Sequence, residues 1–346
     1  MSISSSTRTV GAFALRRGAG TLLALLLLTS SVFLLLKLAP GDEAVAAAGE
    51  GATAEQIDEA RRRLGLDQPV PVQFATFLGR VLRGDWGVST STHASVGAQL
   101  AAVVPATLGL VALAALMIVV VSVPLATIAA FRARTPFDTI TSSTVVFAAA
   151  LPAFWLALML QYSLGSKLGI VPISGQLDRR FSVSAVTGFT PLDAALAGDS
   201  AAAGDALLHL VLPAAILAVS FGAQFFRAQR AETLLVLEQD HVTFARTKGV
   251  SVLRLARHHV LPNAAGPAIT TLGVIFGNMI GGAILVEAVF GLPGVGSFLS
   301  NAVAQKDIPS VLGAVLIVGI LVVGVNFVAD IAQLVRDPRL RRGQLA

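Results

Sequence analysis

A chain of 346 residues with 55% apolar and 13% charged residues falls well short of the charge of a soluble fold, where about a quarter of residues are ionised. Its mean hydropathy of +0.78 marks an integral membrane protein. The absence of cysteine excludes disulfides, iron–sulfur clusters, thiolate zinc sites and cysteine nucleophiles, and the net charge of +5 lies beside apolar runs, which fits lipid and topology better than nucleic acid.

Residues 1–20 form a basic tail with Arg8, Arg16 and Arg17. The apolar stretch from Ala19 to Ala39 reaches the roughly 20 residues that a helix needs to cross a bilayer. A cleaved signal peptide ending at Ala44-Val45-Ala46 is the competing reading, but the length favours a retained first span at 21–39. Lys37 near its outer end can snorkel.

Residues 40–103 read as a small helical subdomain. Thr53 and Gln56 have the spacing of a capping box, opening a helix with Ile57, Ala60 and Leu64 on one face and a stop at Gly65. Pro71 suits the first turn of a second helix, with Phe74, Phe77, Leu78 and Val81 as its stripe and Gly84 after it.

Residues 104–335 hold five more apolar runs, near 104–131, 140–164, 207–226, 267–290 and 311–335. Each covers about 30 Å of hydrocarbon. Pro105, Pro124, Pro152 and Pro213 lie in or at the ends of these runs, where kinks are tolerated. The loop Lys167–Ala206 is rich in Ala, Gly and Asp, and its part from Ala194 to Ala206 suits either a short helix on the membrane or a mobile segment.

The segment 240–262 is the longest polar, basic stretch between apolar runs. Val242–Thr247 make about two helical turns, and Gly249 can adopt positive φ and stop them. Ser251 is a fair N-cap for a second helix, Val252–Val260, with Val252, Leu255, Ala256 and His259 on one face; Pro262 is expected to close it. The result is a compact knob, or else an ordinary membrane-protein loop.

Gly273, Gly277 and Gly281 follow at i, i+4 and i+8, a spacing for close helix packing within the chain or against a partner. Glu287 sits near the outer end of span five, and Asp330 near the inner end of span six, beside Asn326. Intramembrane acids are functional candidates, Glu287 as an outer gate, although both lie near interfaces, where hydrogen-bonded structural roles compete.

Alternate loops differ in charge. The N-terminal tail, 131–139, 227–265 and the C-terminal tail (336–346) together carry fifteen Arg and Lys; the intervening loops carry nine, offset by many acids. The positive-inside rule places the first set, with both termini, in the cytoplasm. The fold expected is all-α: a polytopic membrane protein with six spans and an extracytoplasmic helical subdomain.

Catalytic constellations are missing. There is no GxxxxGK[ST], HExxH, GxSxG or acid-rich calcium loop, and His258 and His259 point to different helix faces, against a shared metal. Catalytic, cofactor and metal sites are therefore all expected to be absent, and the chain is not read as an enzyme.

The residues resemble the permease subunits of binding-protein-dependent ABC importers, in the oligopeptide/dipeptide/nickel branch. That family's motif is EAA, three residues, G, nine residues, I, one residue, LP. Thr243, Phe244 and Ala245 fill the EAA slots, Gly249 the glycine, His259 the Ile slot, and Leu261 and Pro262 the LP. The second Ala, the Gly and the LP agree; the Glu, the first Ala and the Ile do not. LAPGDEA (38–44), LGLDQPVPVQF (64–74), LRGDWGVS (82–89), LPAFW (151–155), TGFTPLDAALAGD (187–199), GGAILVEAVFGLPGVG (281–296) and DPRL (337–340) extend the likeness from span one to the C-terminal tail.

The resemblance implies a second, homologous permease, two ATPase subunits carrying ATP and Mg, and an extracytoplasmic solute-binding protein. It implies a bacterial inner-membrane location and short peptides as cargo, with nickel or a metal chelate as the alternative. Asp240, Thr243, Phe244, Ala245, Arg246, Lys248, Gly249, Leu261 and Pro262 become the ATPase-coupling set. Phe244 stands out there as a bulky apolar side chain on a polar segment. An ATP-independent carrier, the reading from another class, would need a titratable residue in mid-span, and none is seen.

Overall fold

The structure, a computed structural model, describes residues 3–38, 42–49 and 51–336. Almost all of the C-terminal tail (336–346), with the DPRL run at 337–340, lies outside the described residues. Fourteen helices follow in order: α1 (Ile3–Leu38), α2 (Glu43–Ala48), α3 (Ala54–Arg63), α4 (Val70–Leu82), α5 (Val96–Phe131), α6 (Pro136–Ala150), α7 (Ala153–Leu160), α8 (Thr190–Leu196), α9 (Ser200–Leu237), α10 (Asp240–Thr247), α11 (Val252–Leu255), α12 (Leu261–Phe290), α13 (Val295–Ala304) and α14 (Ile308–Arg336). π-helical turns extend α7 over Gln161–Lys167 and join α11 to α12 over Ala256–Val260.

Among the described residues five segments are long and apolar enough to cross a membrane: Gly18–Leu38, Val96–Phe131, Ser200–Leu237, Val252–Phe290 and Ile308–Ala329. A sixth passes only as a bent pair, α6 with α7 and its π turn, which meet at 95°. The apolar run near 140–164 is thus broken at Pro152, one of the prolines at which a kink is tolerated. Pro152 disfavours helical backbone in the residue before it, and Leu151 is extended at φ −74°, ψ 133°. Pro105, Pro124 and Pro213 instead lie inside continuous helices.

The core is where α5, α9 and α12 meet. Leu110 and Ile118 of α5, Ile216 and Leu217 of α9, and Ile275, Met279 and Ile280 of α12 are buried together. The helix α14 lies on α12, and α1 lies on α14. At the α12–α14 seam a Cβ on Gly273 would come within 2.4 Å of the Ala329 Cβ, and one on Gly277 within 2.9 Å of the Asn326 Oδ1. Gly281, expected in the same row, faces open space. The close approach belongs to its neighbour Gly282, where a Cβ would meet the Phe221 ring at 2.6 Å.

The Ala-rich stretch is packed. Asp199 caps α9 by accepting from the Ala202 amide at 2.9 Å, and Ala194, Ala202 and Ala206 are fully buried. In the first turn of α8, the Asp193 carboxylate accepts from the turn ahead of the helix, from the Thr187 amide and hydroxyl and from the Gly188 amide. Burial opposes its charge, but these donors outweigh it and hold its carboxyl below the ordinary aspartate value. The turn places Phe189 against Gly109, where no side chain could fit.

At the bundle end opposite the α9–α12 connection, the short helices α2 to α4 gather around the end of α1. The capping box forms, with the Gln56 Oε1 accepting from the Thr53 amide at 2.8 Å. Phe33 of α1 packs between Phe74 and Phe77 of α4, with ring centroids 5.3 and 6.2 Å away. The loop 83–95 is fixed by Asp307, just ahead of α14. Its carboxylate accepts from the Ser89, Ser91 and Ser310 hydroxyls and from the Thr90 amide. Burial again opposes the charge; the donors win and lower the carboxyl below its usual value.

Two outcomes are expected. Gly273→Val and Gly277→Val each lower stability by about 1–3 kcal/mol through overpacking, whereas Gly281→Val stays within about 0.5 kcal/mol, as read by thermal unfolding in detergent. Because the folded carboxyl of Asp307 titrates below its unfolded value, its stabilisation is complete above about pH 4 and is lost as pH falls through the folded value. The protection factor of the Thr90 amide therefore stays constant from pH 7 to about pH 5 and falls only in stronger acid.

Candidate functional site

The sequence's polar segment folds as a seated knob at the end of the bundle formed by the C-terminus of α9 and the N-terminus of α12. Asp240 opens α10, where a carboxylate complements the helix dipole. Val242 and Ala245 point inward and join Val236 of α9, Leu255, Val260 and Ala264 in one buried cluster. Phe131 and Val250 pack on its edge. Thr243, Phe244, Arg246 and Lys248 point outward. Phe244 is 60% exposed, and the Lys248 Nζ lies 4.4 Å from its ring centroid. That cation–π contact orients the ring without covering it.

Gly249 ends α10 in a Schellman turn. Its φ is +76°, the Val250 amide donates to the Ala245 carbonyl at 3.2 Å, and the Gly249 amide donates to the Arg246 carbonyl at 2.9 Å. A Cβ there would meet nothing within 4 Å, so the demand for glycine comes from the backbone angle alone.

The second half of the knob differs from expectation. Ser251 precedes α11 without a side-chain capping bond, and Val252 and Leu253 are exposed while Leu255 is buried. Pro262 does not close the helix. The chain passes into a π turn in which the Leu261 amide donates to the Ala256 carbonyl, five residues back. This shift in register accommodates a proline at the second position of α12, where no amide is available. The Asn263 side-chain amide donates to the His259 carbonyl at 2.7 Å. Val252 to Phe290 is consequently one continuous helical segment.

Two further ties at this end were not legible as site residues. Arg230 of α9 donates Nε and Nη2 to the two oxygens of Asp138 on α6, at 2.7 and 2.6 Å, and Asp138 also accepts from the Arg134 amide. Ninety-two residues separate the partners, and Arg230 reads in sequence only as one more basic loop residue. Gln229 and Thr233 are buried beside each other and share a 3.2 Å bond.

Glu287 lies at the other end of the same continuous helix. It is buried, and its Oε2 accepts from the Gly296 amide at 2.7 Å. Gly294 and Gly296 make room for it, since a Cβ on Gly294 would lie 2.2 Å from its carboxyl carbon. The carboxylate thus sits at the start of α13, opposing the orphan amides there. Gln161 pins the bent pair to the same place through bonds to the Ile173 and Val289 carbonyls at 2.6 and 3.2 Å.

Comparison with known proteins fits this geometry. Residues 122–342 match the family described as binding-protein-dependent transport system inner membrane component, and residues 11–111 match the N-terminal part of such membrane components. The chain is 35% identical over 314 residues to the di/tripeptide transport system permease protein of Pseudomonas aeruginosa, covering 90% of this chain and 94% of that one. It is 34% identical over 331 residues to a putative peptide transport system permease protein of Brucella abortus, covering 95% and 99%. It is 35% identical over 312 residues to the probable D,D-dipeptide transport system permease protein of Escherichia coli, covering 90% and 92%. A bundle of membrane-crossing helices with a seated polar knob, matched along nearly its whole length, belongs to the family of inner membrane components of binding-protein-dependent transport systems.

Proposed function

We propose that this chain forms half of the translocation path for short peptides, and that it receives the work of ATP hydrolysis through α10. The peptide cargo is supported by the names of the three relatives described above. The partners are a second permease of this kind, two ATPase subunits that bind ATP and Mg, and a solute-binding protein on the outer side. The excess of Arg and Lys at the knob end and its neighbouring loops supports a cytoplasmic knob and cytoplasmic termini.

The observation that carries the reading is Phe244, exposed on a helix whose opposite face is fully seated. A docking ATPase that buries the ring gains about 1.5–3 kcal/mol, and it does so against a knob that cannot yield. Gly273 and Gly277 serve packing within the chain, and Glu287 fixes α13 as part of the outer closure.

Phe244→Ala should therefore weaken ATPase association about tenfold or more, measured by co-purification across a concentration series. Peptide uptake should fall with it while the chain stays folded. Gly249→Val places a branched side chain at positive φ and costs about 1–2 kcal/mol, so uptake is lost; Gly249→Asn, which tolerates that angle, retains most of it. Wild-type uptake in both Phe244→Ala and Gly249→Val would remove the role of α10.

A further inference from the structure

At the end opposite the knob, a cavity of about 460 Å³ opens between the end of α1, the short helices, the loop 83–95 and the start of α14. This is within the ~300–1,000 Å³ of small-ligand clefts. Its two walls differ. One is apolar and is made by Phe33, Ile308 and Leu312, at the ends of two helices long and apolar enough to cross a membrane, and by Phe77 of the short helix α4. The other carries Lys37, Arg63, Arg80, His93 and Lys306, an excess of basic groups over its two acids, Glu43 and Asp85. Lys37 is paired with Glu43 at 2.5 Å, and Asp85 accepts from the Gly87 amide. Among the described residues Arg63, Arg80 and Lys306 form no salt bridge.

The backbone is also committed here. Among the described residues three non-glycine residues have positive φ, and two of them, His93 at 55° and Lys306 at 54°, line this cavity. Such angles persist only where surrounding structure enforces them, and they cluster at binding sites. At Lys306 the angle closes α13, with the Asp307 amide donating to the Ala302 carbonyl at 2.9 Å, and at His93 it belongs to the turn in which the Ser89 amide donates to the Ala94 carbonyl at 2.9 Å. The carboxylate of Asp307 ties the two turns together. Its bonds to Ser89, Thr90 and Ser91 lock the loop bearing His93 to the segment bearing Lys306.

We propose that this cavity binds the phosphate of an anionic phospholipid headgroup. Unpaired cations supply the charge-assisted donors that a phosphate takes. The apolar wall continues onto helix surface that lipid chains can follow, which a free anion would not use. The site is built on the membrane-crossing reading of α1 and α14 and is independent of the transport reading.

The test uses the full-length chain in phosphatidylcholine nanodiscs carrying a minor fraction of phosphatidylglycerol with a photoreactive headgroup, and crosslinks are mapped by mass spectrometry. His93→Gly combined with Lys306→Gly removes both side chains while accepting both backbone angles, so the melting temperature should match or exceed wild type. Crosslinking near 89–93 and 304–308 should fall at least tenfold in this variant and in Arg80→Gln, and stay unchanged in Arg179→Gln, an exposed arginine off the cavity. Millimolar inorganic phosphate should leave the wild-type crosslink in place; full displacement would reassign the site to a free anion and overturn the lipid source. Equal crosslinking in the glycine variant and wild type, or equal crosslinking of a phosphatidylcholine probe, would overturn the proposal.

Discussion

A small apolar cluster seats α10 against the ends of α9 and α12. Val236, Val242, Ala245, Leu255, Val260 and Ala264 come from five consecutive elements, α9, α10, α11, the π turn and α12, and burying them removes the freedom that a polar connection would otherwise have. A helix of eight residues is too short to hold itself in water. Its order therefore comes from this contact and from the left-handed turn at Gly249. With the inner face fixed, the outward face presents Phe244 and its neighbouring charges in one orientation. A surface that docks a partner without first being ordered keeps more of the binding energy.

A rigid knob matters because of what it is joined to. The π turn at Ala256–Val260 lets the helix run on through Pro262 to Phe290, a segment of 39 residues and so about 58 Å at 1.5 Å per residue. At its far end Glu287 fixes α13, and Gln161 ties in the bent pair through the Val289 carbonyl. Glycines at 273, 277 and 282 let α14 and α9 lie close along its length. A displacement applied at Phe244 thus acts on one packed rod, as in rigid-body transitions of domains and subunits. The Arg230–Asp138 pair adds α6 to the same unit at the knob end.

Much of this was legible in the sequence, and the misses share a cause. Hydropathy located the spans because a helix in hydrocarbon needs a continuous apolar run. Gly249 and the Thr53–Gln56 box were readable because their chemistry is local. Pro152 and Pro262 were not separable by sequence. Each lacks an amide, and whether the chain breaks, as at Leu151, or absorbs the defect in a π turn, as at Ala256–Val260, is decided by what packs around it. Within the chain the glycine row extends only to Gly273 and Gly277, for the same reason: spacing defines a face, but the twist of neighbouring helices decides that Gly282 and not Gly281 meets Phe221. The bonds of Asp307 to Ser89 and of Arg230 to Asp138 join residues far apart in the chain, and no local pattern announces them.

α10 and the π turn that leads into α12 move as one body. Spin labels at Arg246 and Arg257, both exposed, report this directly when the assembled transporter is compared with and without trapped nucleotide. One narrow distance distribution, the same in both states, is expected. A distribution that broadens or shifts on nucleotide trapping would mean that the knob flexes on its own, and would contradict motion as one body.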